Sequence, residues 1–328
     1  MSHTARPQPD GALLQYDGIR PITDREFGLF RKLVDREAGI HLSDAKRALL
    51  VGRLTRRLRE LGLTSFSAYY RRITEEDPAE LTHMLDRVST NETHFFREPR
   101  QFEFLKETVM PQWIRAGGTG RRARRLRVWS AACSTGEEPY SLAMTLLDGL
   151  LAYPGWELEI LASDISTRVL RRAEEAVWPV DKAKEIPTSL LRRYMLRGTR
   201  SQEGQMKAGP LLRSAVRFTR NNLNSAHYTV SGPFDLILCR NVLIYFDTET
   251  KRRVVQRLLD LLAPDGYLFL GHAESLTGLS DRARSVGPTV YVLAQPSAPT
   301  RSSREAVQAR AAAGPAAAGV AALAARRG

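Results

Sequence analysis

The stretch RVWSAACSTGEEPYSLAM, Arg127 to Met144, constrains the fold most, because an apolar strand pattern passes through a turn of small residues directly into a helical pattern. Such a junction opens a parallel α/β unit, whose ligand crevice lies outside the carboxyl end of the strand. Small residues let the backbone approach a ligand, and the first turn of the helix aims unpaired N–H groups at the same space. The turn lacks the glycine pattern of a phosphate cradle. It has Gly136 followed by Glu137 and Glu138, two acids that would repel a pyrophosphate. A ligand carrying positive charge or hydroxyls is expected. S-adenosylmethionine, with its sulfonium, amino group and ribose, fits better than NAD or ATP.

The next apolar segment, ELEILASDIS, ends in Asp164. A doubly wound sheet places a carboxylate there against ribose hydroxyls, and the spacing and the strand end favour that role for Asp164 over the alternative of an N-cap for the helical pattern that follows. Five segments read as strands: RVWSAAC, ELEILASD, AVRFTRNN, FDLILCRN and GYLFLGH. Helical stretches separate them, which predicts a mostly parallel sheet covered on both faces.

Before the sheet lies a helical region. Thr23 and Glu26 make a capping box ahead of FGLFRKLVDREAG, Ser43 is placed to cap a basic helix, Ser65 starts SFSAYYRRI, and Pro78 opens PAELTHMLDRVS. These four short helices predict a small all-α domain over residues 21–90. HFFREPRQFEFLKETVMPQWIRAG continues as helix. Residues 1–20, rich in Pro and polar groups, and the Ala/Gly/Arg tail 295–328 read as disordered or low-complexity segments.

A net charge of +13 calls for an acidic partner. From Gly39 to Arg72 there are eight Lys/Arg against two acids, and RRARRLR, Arg121 to Arg127, adds five more. In the first run Leu50, Leu54, Leu58 and Leu61 share one side of a helix bordered by Lys46, Arg53 and Arg57, so that helix packs on one face and shows basic residues beside it. A merely solvated basic face is the competing explanation. The two cysteines, Cys133 and Cys239, both sit at strand ends, which indicates neither a disulfide framework nor a metal site. No apolar run approaches the ~20 residues a membrane span needs, and the N-terminus lacks a signal-peptide pattern. A cytoplasmic protein is expected.

Three more clusters carry candidate chemistry. STNETHFFREP, Ser89 to Pro99, brings Asn91, Thr93 and Arg97 to the boundary between the two regions, with Phe95 and Phe96 as core and His94 as an exposed or capping residue. FDLILCRNVLIYFD drives an apolar strand into Arg240 and Asn241, where a parallel sheet places its ligand crevice. FLGHAESL offers His272, Glu274 and Ser275, either as pocket residues or as turn chemistry at a strand end.

Taken in order, STNETHFFRE, RVWSAACSTGEEPYSLAM, SDIS, NNLN, DLILCRNVLIYFD and GHAESL resemble the signature blocks of the chemotaxis receptor methyltransferases, the CheR family, over residues 20 to 294. The resemblance implies a class I methyltransferase domain, a doubly wound Rossmann-like α/β sheet over 91–294, preceded by a small N-terminal all-α domain that reads the receptor. It also implies a small inserted β-subdomain, matched here by residues 190–213, which in some members grips a receptor's C-terminal peptide. The family methylates glutamate side chains on chemoreceptor helices, forming γ-carboxyl methyl esters from S-adenosylmethionine.

Carried over residue by residue, the family's cofactor positions are Asn91, Thr93, Arg97, Glu137, Asp164, Asn222, Leu223, Arg240 and Asn241. Asp164 suits ribose hydroxyls, Asn222 the adenine edge, Leu223 its face, Glu137 the amino group, and Arg97 and Arg240 carboxylates. Only whichever of Glu137 and Glu138 faces the ligand can serve. Arg97 and Tyr245 are the candidates for steering the substrate carboxylate, and Arg53, Arg56, Arg57 and Arg59 for docking a Glu-rich receptor helix. No metal, nucleic acid or membrane insertion is expected, and the protein is read as a monomer recruited to receptor arrays. Two other functions compete: a non-catalytic S-adenosylmethionine-sensing receptor adaptor, and a nucleic-acid methyltransferase. The second lacks both an aromatic-interleaved basic stretch and an Asn/Asp-Pro-Pro-aromatic block.

Overall fold

A computed structural model describes residues 18–294. The tail 295–328 and residues 1–17 of the N-terminal segment lie outside the described residues.

The chain opens with helices α1 (Asp24–Ala38), α2 (Arg47–Glu60), α3 (Phe66–Arg71) and α4 (Glu80–Val88). The Thr23–Glu26 capping box forms: Glu26 N–H donates to Thr23 Oγ1 at 3.2 Å and Thr23 N–H to Glu26 Oε2 at 2.8 Å. The other Glu26 oxygen accepts from Ser67 N–H at 2.8 Å, so the cap also ties α1 to α3. Ser65 caps α3 through Ala68 N–H at 3.2 Å. Ser43 makes no such bond, because a single 3₁₀ turn, Asp44–Lys46, separates it from α2. Phe30, Leu54, Leu58, Tyr69 and Met84, none of them exposed, close the core of this small domain.

Segment 91–98 is irregular, with Phe96 (φ 52°) and Glu98 (φ 63°) in the left-handed region. The continuous helix expected across HFFREPRQ therefore begins only at Pro99, whose ring presets the first helical φ. Helices α5 (Pro99–Phe104) and α6 (Met110–Gly118) follow, joined by a π-helical turn.

The remainder alternates: β1 (Arg125–Ser130), α7 (Glu137–Leu150), β2 (Glu157–Asp164), α8 (Thr167–Glu175), β3 (Val177–Pro179), α9 (Thr188–Tyr194), β4 (Met195–Arg197), β5 (Gln205–Ala208), α10 (Pro210–Ala215), β6 (Val216–Arg220), β7 (Phe234–Cys239), α11 (Thr248–Asp260), β8 (Leu262–Leu270), β9 (Ala283–Gly287) and β10 (Val290–Leu293). Seven strands form one sheet in the order β6-β2-β1-β7-β8-β10-β9. The five strands read from the sequence are its parallel part, and β10 and β9 add an antiparallel edge. Because successive side chains point to opposite faces, Val128, Leu236, Leu238 and Phe269 enter one core with α6 and α7, while Trp129, Ile237, Leu268 and Leu270 enter the other with α11. The fold is the expected doubly wound one with an N-terminal all-α domain.

The insert is a three-stranded antiparallel sheet, β3-β5-β4. It draws its first strand from Val177–Pro179, ahead of the expected 190–213 segment, and Pro210–Ala215 is already a helix packed on α7 and β6. The run RRARRLR is tied down rather than free: Arg122 pairs with Asp235 and Asp265, and Arg125 and Arg127 share Glu159.

Candidate functional site

A cleft of about 1100 Å³, counting its open mouth, lies at the carboxyl ends of β1, β2, β6 and β7. Its floor is supplied by the residues that leave those strands: Ala131, Asp164, Asn221 and Arg240. The helical domain roofs it with Ala38, Ile40, Leu42, Lys46, Leu49 and Val88. The roof is fastened on both sides. Asn222 Nδ2 donates to the Glu37 carbonyl at 2.6 Å, and His41 N–H to the Tyr245 carbonyl at 2.8 Å.

The turn after β1 is built for close approach. Ser134 takes a left-handed φ of 49°, its N–H donates to Asp164 Oδ2 at 2.9 Å, and its hydroxyl donates to the Asn91 carbonyl at 2.9 Å. Gly136 has φ 97°, and a side chain there would come within 3.0 Å of Ala173 Cβ, so glycine is required both by conformation and by packing against α8. Asp164 is 7% exposed and accepts a second N–H, from Ser166, at 3.0 Å. Burial nonetheless pushes its carboxyl above the usual value, against the pull of those N–H groups. A ligand offering hydroxyl donors would offset that desolvation by hydrogen bonding to the charged form.

Glu137 and Glu138 point in different directions. Glu138 lines the cleft, bonded to Ser130 Oγ at 2.7 Å and Arg240 Nε at 2.8 Å. Glu137 does not line it: its carboxylate turns to Lys182 at 2.7 Å and Thr135 at 2.6 Å. Each acid is matched by a cation, so their net charge alone does not turn a pyrophosphate away. Two protein carboxylates already occupy the first turn of α7, where a helix terminus would otherwise receive an anion.

Arg240, with its side chain 1% exposed, is held by Glu138, by Gln101 Oε1 at 2.9 Å and by the Arg97 carbonyl at 2.8 Å. Its Nε and Nη1 therefore organise the cleft wall from behind. Asn222 is likewise engaged: besides its bond to Glu37, its Oδ1 accepts from Asn224 N–H at 3.0 Å. Arg97 gives one donor to the Glu92 carbonyl at 3.0 Å and lines the cleft, as do Asn91, Thr93, Leu223, Asn241 and Tyr245. Lys46 Nζ stands 5.4 Å from the Tyr245 ring centroid. The sequence placed Lys46 beside the basic helix, but nothing local signals that it reaches this cleft.

Glu274 is buried outside the cleft wall and fixes the loop after β7. Its carboxylate accepts from Gly271 N–H at 2.7 Å, Asn241 N–H at 2.9 Å and Ile244 N–H at 3.3 Å. Asn241 has φ 56°, a conformation this anchor helps to hold. Glu98, which sequence reasoning missed, accepts from His272 N–H at 3.0 Å and Asn241 Nδ2 at 3.3 Å. Burial opposes its charge, but the His272 N–H and nearby Arg240 keep its carboxyl below the ordinary value.

The four arginines of α2 expected to dock a receptor, Arg53, Arg56, Arg57 and Arg59, do not form one face. Arg57 makes two bonds to the buried Glu80, at 2.8 and 2.6 Å, and a third to Glu60 at 3.1 Å. Arg53 bonds the Val88 carbonyl and, at 3.2 Å, Thr90 Oγ1, closing the end of α4. Arg56 and Arg59 are exposed. The reason is helical pitch: Arg53 and Arg57 are four apart and share the side that meets α4.

Residues 25–89 match the family described as CheR methyltransferase, all-alpha domain, and residues 91–292 match CheR methyltransferase, SAM binding domain. The chain is 41% identical to a chemotaxis protein methyltransferase of Escherichia coli K12 over 285 residues, covering 86% of this chain and 96% of that protein. It is 40% identical to chemotaxis protein methyltransferase 2 of Pseudomonas aeruginosa over 269 residues, covering 82% and 93%. It is 34% identical to a chemotaxis protein methyltransferase of Borreliella burgdorferi over 259 residues, covering 78% and 90%. The helical roof and the sheet with its cleft thus correspond to two matched domains, and the chain belongs to the CheR methyltransferase family, whose methyltransferase domain here takes S-adenosylmethionine as cofactor.

Proposed function

We propose that the protein transfers the methyl group of S-adenosylmethionine to glutamate side-chain carboxylates of chemoreceptors, giving glutamate 5-O-methyl esters and S-adenosylhomocysteine for sensory adaptation. The observation that carries this reading is the convergence of Arg97, Tyr245 and Lys46 on one cleft beneath the helical domain. Two cations and a phenol there suit an incoming carboxylate.

The cofactor supplies an electrophilic methyl on a sulfonium. A glutamate of pKa near ~4.3 is already ionised at neutral pH, so no general base is needed. What remains for the protein is to orient the carboxylate and exclude water. In this reading Asp164 holds the ribose, Leu223 covers the adenine face, and Asn91, Thr93 and Asn241 complete the cofactor wall. Glu138, on the cleft side of the α7 turn, takes the amino-group role first given to Glu137. Arg240 and Asn222 support that wall through their protein partners. Arg97 orients the substrate carboxylate, and Tyr245 steers an oxygen without neutralising it. Arg56 and Arg59, both exposed, are the outward docking charges of α2, whereas Arg53 and Arg57 bond inside the domain. The inserted sheet is the proposed place for a receptor's C-terminal peptide, and the protein acts as a monomer in the cytoplasm at membrane receptor arrays.

The test is transfer of labelled methyl from S-adenosylmethionine to receptor-containing membranes. Alkali-labile label released as methanol is expected. Alkali-stable label would refute ester formation, and cofactor binding without transfer would point to the adaptor.

A further inference from the structure

The inserted sheet does more than stand beside the methyltransferase domain, because it grips the segment that forms one cleft wall. Lys182 lies in the 3₁₀ segment Val180–Glu185, between β3 and α9. Its Nζ is 2.7 Å from Glu137 Oε1 and donates to the Thr93 carbonyl at 3.1 Å. Glu185 accepts from Phe95 N–H at 2.8 Å, and Trp178 of β3 meets the Phe95 ring edge-on at 5.0 Å. Thr93 and Arg97, both on the cleft, flank or belong to this held stretch.

The stretch has no helix or strand of its own, and two of its residues occupy the left-handed region. Its shape therefore depends on the tertiary contacts that hold it. Glu137 is 1% exposed, and beyond Lys182 its carboxylate has the Thr135 hydroxyl. One ammonium thus compensates a buried carboxylate at the start of α7 and fixes a carbonyl in the cleft wall, coupling the α7 turn to segment 91–98.

We propose that Lys182 is a positioning residue for the methyl-donor site, acting through Thr93 and Glu137 rather than by touching the cofactor. The experiment is titration of S-adenosylhomocysteine into the full chain without receptor, at a temperature where circular dichroism shows each variant folded. Lys182→Met is expected to weaken binding about tenfold, and Lys182→Arg, which retains a donor, to recover most of it. The KM for S-adenosylmethionine should rise in parallel while kcat at saturating cofactor and the receptor KM change little. A purely structural lysine would lower the melting temperature and leave the folded protein's affinity unchanged. Should Lys182→Met fail to fold, the double variant Lys182→Met/Glu137→Gln decides, since it removes the stranded charge at Glu137 while Glu185, 4.0 Å from Lys182, keeps its bond from Phe95 N–H, and it still leaves Thr93 unheld. Wild-type affinity in whichever of these variants folds overturns the proposal.

Discussion

Removing Arg240 is expected to cost the fold far more than a single lost contact. In Arg240→Met, Glu138 keeps the Ser130 hydroxyl at 2.7 Å but loses its Arg240 partner at 2.8 Å. The Gln101 side-chain oxygen and the Arg97 carbonyl each lose a donor. Breaking a buried ion pair from one side costs about 3–5 kcal/mol, because the remaining charge has no compensation. Methionine preserves part of the packing on the Phe102 ring, over which the guanidinium now lies at 5.6 Å. A loss of about 4 kcal/mol is a large share of the roughly 5–15 kcal/mol that holds a typical domain together. With a urea slope of about 3 kcal/mol per M, the midpoint followed by circular dichroism should fall by about 1.3 M. Adding Glu138→Gln should recover about half of the loss, since the double variant leaves only the more distant Glu98, 3.9 Å from Arg240, without its cation. A shift below about 0.3 M for Arg240→Met, or strictly additive single and double variants, would refute the reasoning.

On α2, Arg57→Ala should destabilise by about 3 kcal/mol by stranding Glu80, whereas Arg56→Gln/Arg59→Gln, which loses the exposed Arg56–Glu60 pair at 3.4 Å, should cost at most about 1 kcal/mol and raise the receptor KM, more so at low salt. In Glu80, burial works against the charge, but the Arg57 and Tyr69 bonds outweigh it and hold the carboxyl below the ordinary glutamate value of 4.5. Its ionised form therefore contributes stability above that value and loses it as the pH falls below 4.5, so wild-type stability should decline in that range and Arg57→Ala should flatten the decline. Asn222→Ala removes a clasp on the helical roof: about 1 kcal/mol of stability should go, while S-adenosylhomocysteine affinity by calorimetry stays within about threefold. A hundredfold loss would mean that the Asn222 side chain contacts the adenine directly.

Much was decided locally and could be read from the chain. The five parallel strands, the Thr23–Glu26 cap, the small-residue turn at Ser134 to Gly136 and the placement of Asp164, Arg240 and Asn241 at strand ends all follow from periodicity, caps and turn residues within a few positions of one another. What no local pattern could fix is which charge meets which. Arg57 lies 23 residues from Glu80, and Arg240 lies 102 from Glu138. Glu137 and Glu138 are neighbours, yet the folded insert gives the first to Lys182, while Ser130 and Arg240 hold the second at the cleft. Long side chains choose partners across the packed structure, and their desolvation makes the choice costly to reverse. The sequence by itself therefore determined the parallel part of the sheet, its helical cap and the rim of the cleft. Tertiary packing decided which of the candidate residues face a ligand and which hold the others in place.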